Sequence, residues 1–405
     1  MNSELRLRTR PRPNENQRVL HDVDSLHFSC LEDVSIVIPT YNEAGRLASS
    51  MKSLLDEVPG SRTCEVIVVD DGSSDDTCQV ALTSLEPFDN PKLVSLPENR
   101  GKGAAIRCGL QSCTRESVVI MDADMASSPT WLNDAIALLH ANEDLGLVIG
   151  SRAHPDSRIG AHPLHRTIAG RVFNSLTRAL SGLQAKDTQC GSKAVNGSLA
   201  ALMSALCSVE GFAFDVEAIL LARALGYEVE ELPVEWHHVQ GSHVRWMRDP
   251  LVMTLEVAKA RRRIQPESPV ASLRVTWSRA RETSKEHDRQ ALADLLMRQL
   301  RAGTLVISTN DGALIVRSEG LGVPERDELE RVGERLRMAS TELKVEPCTL
   351  TLAELGEGAR KGRAWLVPSR QEKGKPSASA SISSPEQNLQ VSKDVSTTTK
   401  HLTAC

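Results

Sequence analysis

Five short apolar runs recur between Val34 and Arg152: SIVIP, EVIVVDD, KLVSL, SVVIMDAD and LGLVIGSR. They are rich in β-branched residues and largely unbroken by polar positions, as expected of strands covered on both faces. Four segments of mostly helical character separate them. Strands alternating with helices predict an α/β fold built on a mostly parallel sheet flanked by helices. From about Pro163 to Arg263 the pattern continues as helix, short strand, helix, helix, strand, helix. The stretch GFAFDVEAILLARALG is amphipathic, with Gly226 placed to end it.

Beyond Arg263, QPESP reads as a linker. Residues 270–369 predict a small α/β domain. A long charged helix comes first, then two strands (TLVIST and ALIVRS) around Asn310-Asp311-Gly312, a hairpin signal. A second charged helix and a last strand near AWLVP complete it. Four parts follow: a flexible arm (1–33), a principal domain (34–265), a small domain of unassigned role (266–369) and a Ser-, Thr-, Lys- and Gln-rich tail (370–405) expected to be disordered.

Polar residues collect where the five runs end: TYNE, DDGSSDDT, PENRGKG, DAD and SR. Parallel sheets bind ligands at the carboxyl ends of their strands, so these ends point to one site. Composition narrows what binds there. A formal net charge of −5 argues against a general nucleic-acid binder. The nine cysteines lack CxxC pairs, which favours reduced thiols in a cytoplasmic protein over a metal or disulfide framework. The N-terminus lacks the apolar core of a signal peptide, and no run approaches the roughly 18 apolar residues of a membrane span. Any action on a membrane is therefore expected from its surface.

Individual ends admit two readings. Tyr41 and Glu43 can stack on a base and hold a ribose, or merely form a turn. In Asp70-Asp71-Gly72-Ser73-Ser74-Asp75, helix capping accounts for Ser74 or Asp75. It does not account for both acids before the glycine, and one of those is expected to meet a polar ligand. In Asn99-Arg-Gly-Lys-Gly103, glycines ahead of a helix would let backbone approach a phosphate that Lys102 neutralises. GxxxxGK[ST] is absent, so this is not a P-loop. Asp122 and Asp124 are one residue apart at a strand end. Their repulsion disfavours the empty site, and an oxygen-preferring divalent cation reverses that sign. A cation shared with a diphosphate would stabilise a leaving nucleoside diphosphate. The arginines 152, 158, 166, 171 and 178 either solvate a loop and helix or receive an anionic acceptor.

In this order and spacing, PTYNE, VVDDGSSDDT, ENRGKGAAIRCG, MDADMASSP and GSR resemble the inverting glycosyltransferases of family 2, which have the GT-A-type nucleotide-sugar fold. The resemblance covers roughly Val34 to Arg263. DTQCGSK (187–193), FDVE (214–217) and Trp236 followed by Gly241-Ser242 are similar to segments of dolichyl- and polyprenyl-phosphate β-glucosyltransferases. The resemblance implies that Pro39, Tyr41, Glu43, Val69, Asp71, Lys102, Asp122, Ala123, Asp124 and His243 bind the nucleotide sugar. It implies that Asp124 and Asp122 hold Mg²⁺ or Mn²⁺, and that Asp187, Asp124 and Arg152 are catalytic. Arg152, Arg166 and Gln189 would bind the acceptor. Departures are His243 and Ser192, where the family segments have Lys and Phe, Ala126 as in the glucosyl-type pattern, and Gly170 where the mannosyl branch has Ser.

The reaction so implied moves glucose from UDP-glucose to a polyprenyl phosphate, with inversion. Contact with the cytoplasmic face of a membrane is expected through residues 250–263. There Leu251, Val252, Leu255 and Val257 would face the lipid, and Lys259 and Arg261–Arg263 the head groups. GDP-mannose as donor, a soluble acceptor, or a non-catalytic nucleotide-sugar-sensing scaffold are the alternatives.

Overall fold

The computed structural model describes residues 31–160, 174–175, 177–237, 249–277, 292, 294–296, 298, 300, 304–308, 312–317, 326–340 and 343–366. In its first part β1 (Val34–Thr40), α1 (Leu47–Glu57), β2 (Glu65–Asp70), α2 (Thr77–Leu85), β3 (Asn90–Ser95), α3 (Lys102–Ser112), β4 (Ser117–Ile120), α4 (Trp131–Ala141) and β5 (Leu145–Ser151) alternate along the chain. They are followed by β6 (Arg158–Ile159), β7 (Lys193–Asn196), α5 (Gly197–Leu206), α6 (Phe214–Ala224), β8 (Glu228–Pro233), β9 (Glu235–Trp236) and α7 (Asp249–Arg263).

Seven strands form one sheet in the order β3-β2-β1-β4-β7-β5-β8. β7 runs antiparallel to β4 and β5, and the remaining neighbours are parallel. This is the mostly parallel, helix-flanked sheet that the patterning predicts. Alternate residues of each strand enter opposite cores. Val37, Ile67, Val118 and Ile149 pack toward α3, α5 and α6, whereas Ile36, Val66, Val119 and Val148 pack toward α1 and α4. Burial on both faces is why the strands read as unbroken apolar runs.

The reversal of β7 matters for the site. Its first residue, Lys193, pairs with Ile120 at the carboxyl end of β4. Residues 187–192 therefore reach the same edge of the sheet as Asp122 and Asp124. α6 stops at Ala224, and Gly226 takes φ +81°, the left-handed conformation expected of a residue that ends a helix.

A second sheet has the order β13-β10-β12-β11-β14 and is antiparallel throughout. Its strands are β10 (Pro269–Trp277), β11 (Thr304–Ser308), β12 (Gly312–Arg317), β13 (Leu343–Thr351) and β14 (Ala364–Leu366). The helices α8 (Arg326–Ala339) and α9 (Leu352–Lys361) accompany them. The pairing of β11 with β12 and the strand over Ala364–Leu366 match expectation. Three elements correct it. Pro269–Trp277 is a strand where a helix was expected, Leu343–Thr351 is a strand, and α9 follows directly. The period of two is visible in hindsight: Leu273, Val275, Leu343 and Val345 are buried, while Arg274, Lys344 and Glu346 are exposed. Interleaved charges hid it.

This sheet packs on the first. Leu305, Ile307, Leu355, Ala359 and Ala364 share one core with Leu199, Leu202 and Leu221. Arg360 lies 5.3 Å from the centre of the Tyr227 ring. A Cβ on Gly356 would come within 1.9 Å of the Leu225 carbonyl oxygen, so α9 approaches α6 closely because that position is glycine.

Candidate active site

β4 delivers Met121 and then Asp122, Ala123 and Asp124 at the carboxyl edge of the sheet. The chain turns at once. The Met125 amide donates to the Asp122 carbonyl (3.0 Å), the Ala126 amide to Asp124 Oδ1 (3.1 Å), and Met125 takes φ +42°. A left-handed φ at a non-glycine residue is a strained turn held by its surroundings.

The two carboxylates are not equivalent. Asp122 Oδ1 lies 2.8 Å from Lys102 Nζ. The same ammonium is 3.4 Å from Asp215 Oδ2, and Asp215 Oδ1 is 2.7 Å from Lys193 Nζ. Lys193 is fully buried in β7. Acid and base thus alternate from Asp122 to Lys193, and the buried Asp215 and Lys193 each meet an opposite charge. Burial raises the Asp122 carboxyl, but Lys102, Lys193 and Arg152 together pull it down by more, and it ends below its usual range. Burial lowers the Lys102 ammonium, but Asp122 and Asp215 raise it further. Asp124 goes the other way: burial and then the Asp122 charge push its carboxyl up. Asp122 keeps 40% of its side chain exposed and can still reach a ligand. Its other oxygen presses on the backbone of Gly191, where a Cβ would sit 1.8 Å away.

The loop before α3 is held from two sides. Asp71 accepts the Arg100 amide (2.8 Å), the Gly101 amide (2.7 Å) and the Asn99 side chain (3.0 Å). From the other side, the Glu210 carbonyl accepts the Gly103 amide (2.7 Å) and the Ala104 amide (3.2 Å). One correction follows. The glycines of this loop make room for the 209–211 backbone: a Cβ on Gly103 would meet the Val209 oxygen at 2.3 Å, and one on Gly101 the Glu210 oxygen at 2.5 Å. The first turn of α3 is therefore satisfied within the protein and does not present these amides to a phosphate. Asp71 organises this loop, while Asp70 accepts the Ser73 amide.

The 207–211 strap is itself anchored. The fully buried Glu217 accepts the Ser208 amide (3.0 Å) and the Val209 amide (2.8 Å) and pairs with Arg263 at the end of α7.

Across the site, Arg152 follows β5 and grips Asp187. Its Nε lies 2.7 Å from Oδ2, its Nη2 3.0 Å from Oδ1, and its amide 3.0 Å from Oδ2. This forked pair is the strong geometry for guanidinium and carboxylate. Burial raises the Asp187 carboxyl, and Arg152 with the Gln189 amide lowers it by more, so the group is held ionised. The Gln189 amide also donates to Asp187 Oδ1 (3.1 Å). The Gln189 side-chain Nε2 is buried with no hydrogen-bond partner among the described residues.

At the end of β1, Pro39 and Tyr41 are half-buried, and Glu43 binds Arg46 at 2.6 Å. The side chains of Val69 and Ala123 lie in the two cores, so any ligand contact there falls to their backbone. His243 and Arg166 lie outside the described residues, as do Gly241 and Ser242. Sequence reasoning gave no role to Lys193, Asp215, Glu217, Gly191 or Glu231. The usable signal was charge inside apolar surroundings, as in FDVEAILL and SKAV.

Residues 35–199 match the profile of Glycosyl transferase family 2. The dolichyl-phosphate beta-glucosyltransferase of Drosophila melanogaster is 34% identical over 260 residues, covering 58% of this chain and 80% of that protein. The Saccharomyces cerevisiae enzyme of the same name is 32% identical over 268 residues, covering 62% of this chain and 78% of that protein. Among solved structures, a glucosyl-3-phosphoglycerate synthase from Mycobacterium tuberculosis in complex with Mn²⁺, UDP-glucose and phosphoglyceric acid is 20% identical, with a TM-score of 0.42, covering 60% of this chain and 83% of that one. The chain belongs to glycosyl transferase family 2 and is a glycosyltransferase. Within the family it stands close to the dolichyl-phosphate β-glucosyltransferases.

Proposed function

We propose that this enzyme transfers glucose from UDP-glucose to a polyprenyl phosphate with inversion, using Mg²⁺ or Mn²⁺. The observation that carries the reading is the asymmetry at the strand ends: Asp122 is paired with Lys102 at 2.8 Å, whereas burial and the Asp122 charge push Asp124 up. Hard carboxylate oxygens suit either cation. Among the described residues no three His, Cys, Asp or Glu come together as a closed metal cage. Asp124 would be the main ligand with Asp122 beside it. Bound there, the cation supplies positive charge to the leaving diphosphate.

In the transfer, an acceptor phosphate oxygen bonds to the anomeric carbon as its bond to the UDP oxygen breaks, and UDP leaves with the electron pair. The acceptor is ionised near neutral pH, so a general base is unnecessary. Arg152 spends two of its five N–H groups on Asp187 and has others with which to meet the acceptor phosphate. Asp187 fixes the guanidinium plane, and with Gln189 lies toward the transferred sugar. Positioning and charge carry the rate.

The lipid acceptor is supported by what the relatives act on by name. Among the described residues no helix is long and apolar enough to cross a membrane. Contact from the cytoplasmic face would use α7, where Val252, Leu255, Lys259 and Arg262 are exposed. Val257 and Arg263, expected at that surface, instead face the protein. Residues 34–265 would be the catalytic unit and 266–369 an accessory unit braced against it. The test is transfer of labelled sugar into organic-extractable lipid from UDP-glucose and from GDP-mannose, with and without a chelator. Chelator-sensitive lipid label from UDP-glucose is expected. Label from GDP-mannose alone would change the donor, and no lipid label from either would refute the acceptor.

A further inference from the structure

The segment carrying Asp187 has no regular secondary structure, yet two elements hold its backbone. Glu231, on the edge strand β8, accepts the Lys186 amide (2.9 Å) and the Asp187 amide (3.0 Å) through its carboxylate. On the other side Asn174 accepts the Thr188 hydroxyl (3.0 Å) and amide (3.3 Å), and its own amide group donates to the Lys186 carbonyl. Glu231 pairs in register with Ile149 of β5, three residues before Arg152. Both partners of the Arg152–Asp187 pair are therefore referenced to one strand pair. Arg152 is placed by the chain leaving β5, and Asp187 by a carboxylate reaching from the strand beside it.

The sequence around Glu231 reads Glu228-Val-Glu-Glu-Leu-Pro233, which by itself suggests a solvated acidic edge. Glu228 and Glu230 are indeed exposed. Glu231 differs because it meets two consecutive backbone N–H groups. An ionised carboxylate bound to two amides is a charge-assisted anchor, and those amides would otherwise have to find water.

We propose that Glu231 is a positioning residue for transfer: it sets the height of Asp187, and through it the guanidinium of Arg152, relative to the reacting centre. This rests on the reading above, in which that pair faces the sugar and the acceptor phosphate. A displacement of the order of 1 Å at such a pair is expected to lower turnover more than it weakens nucleotide binding.

The experiment compares wild type with Glu231→Ala, Glu231→Gln, Glu230→Ala and Asp187→Asn. It reads kcat for lipid transfer at saturating donor, Kd for UDP with Mn²⁺, and the thermal midpoint. Glu231→Ala is expected to lower kcat about 10- to 100-fold, with Kd and midpoint close to wild type. Glu231→Gln retains an acceptor oxygen with two lone pairs and should recover to within a few-fold. Glu230→Ala should match wild type. If Asp187→Asn is inactive but Glu231→Ala turns over normally, the positioning role is wrong and the functional reading stands. If Asp187→Asn transfers normally, that reading fails and takes the inference with it. A fall in Kd affinity and midpoint alongside kcat in Glu231→Ala would show a general structural role and overturn the proposal, as would failure of Glu231→Gln to recover.

Discussion

The two acidic ends of the site use the same chemistry in opposite ways. At one end Asp122 is paired with Lys102 while Asp124 is pushed up by burial and by its neighbour's charge. At the other end Asp187 is clamped by Arg152 and held ionised. Each end places a carboxylate where it is costly. The Asp187 end has its countercharge built in and is organised before anything binds. At the Asp122–Asp124 end Lys102 serves Asp122 directly and Asp124 is left raised, which under the proposed function a bound cation would offset. A preorganised end suits a group that orients substrate, and a charge-deficient end suits a group that recruits a cation with its nucleotide.

The largest effect should come from the deficient end. Asp124→Ala would remove the proposed main cation ligand, and transfer measured in labelled lipid should fall about a thousandfold. Next, Asp187→Asn keeps the shape but discards the charge that holds Arg152. Turnover should fall about a hundredfold while UDP affinity, read by calorimetry, stays put. Gly191→Ala sharpens the contrast from the structural side. Its Cβ would occupy the place of Asp122 Oδ2, so the carboxylate must swing away from Lys102. Affinity for UDP with Mn²⁺ should drop about tenfold, equivalent to roughly 1.4 kcal/mol, with little loss of the Arg152–Asp187 geometry.

A smaller effect is read by pH. The folded-state carboxyl of Asp187 lies below its ordinary value. Its contribution to stability is therefore complete above the unfolded value, near 4, and is lost as pH falls through the lower folded value. The gap in thermal midpoint between wild type and Asp187→Asn should be constant from neutral pH to about 5 and close at lower pH. The smallest effect belongs to the region outside both ends. Arg360→Ala removes the contact on Tyr227 and should cost about 1 kcal/mol of stability with transfer unchanged.

Much of this was legible because both faces of the main sheet are covered. Continuous apolar runs named its strands, and their polar ends gathered Asp122, Asp124 and Arg152 at one edge, whereas Asp187 entered only through the resemblance carried by DTQCGSK. The second sheet was less legible. Its strands carry charge on alternate residues, as in Leu343-Lys-Val-Glu346, and such short runs pass for charged helix. Partners were not legible at all. The link from Lys102 to Asp215 spans 113 positions, and the hold of Glu231 on the Asp187 amide spans 44. Neither leaves a local pattern. The glycines of the 99–103 loop show the same limit. Their number was plain, but what they admit is the 209–211 backbone, a neighbour fixed by tertiary packing.

The contrast between the two ends is tested most directly by Mn²⁺ binding in the presence of UDP, followed by electron paramagnetic resonance in wild type, Asp124→Ala and Asp187→Asn. Asp187→Asn should bind Mn²⁺ as wild type does, and Asp124→Ala should lose it. Wild-type Mn²⁺ affinity in Asp124→Ala, or its loss in Asp187→Asn, would contradict the division of labour between the two ends.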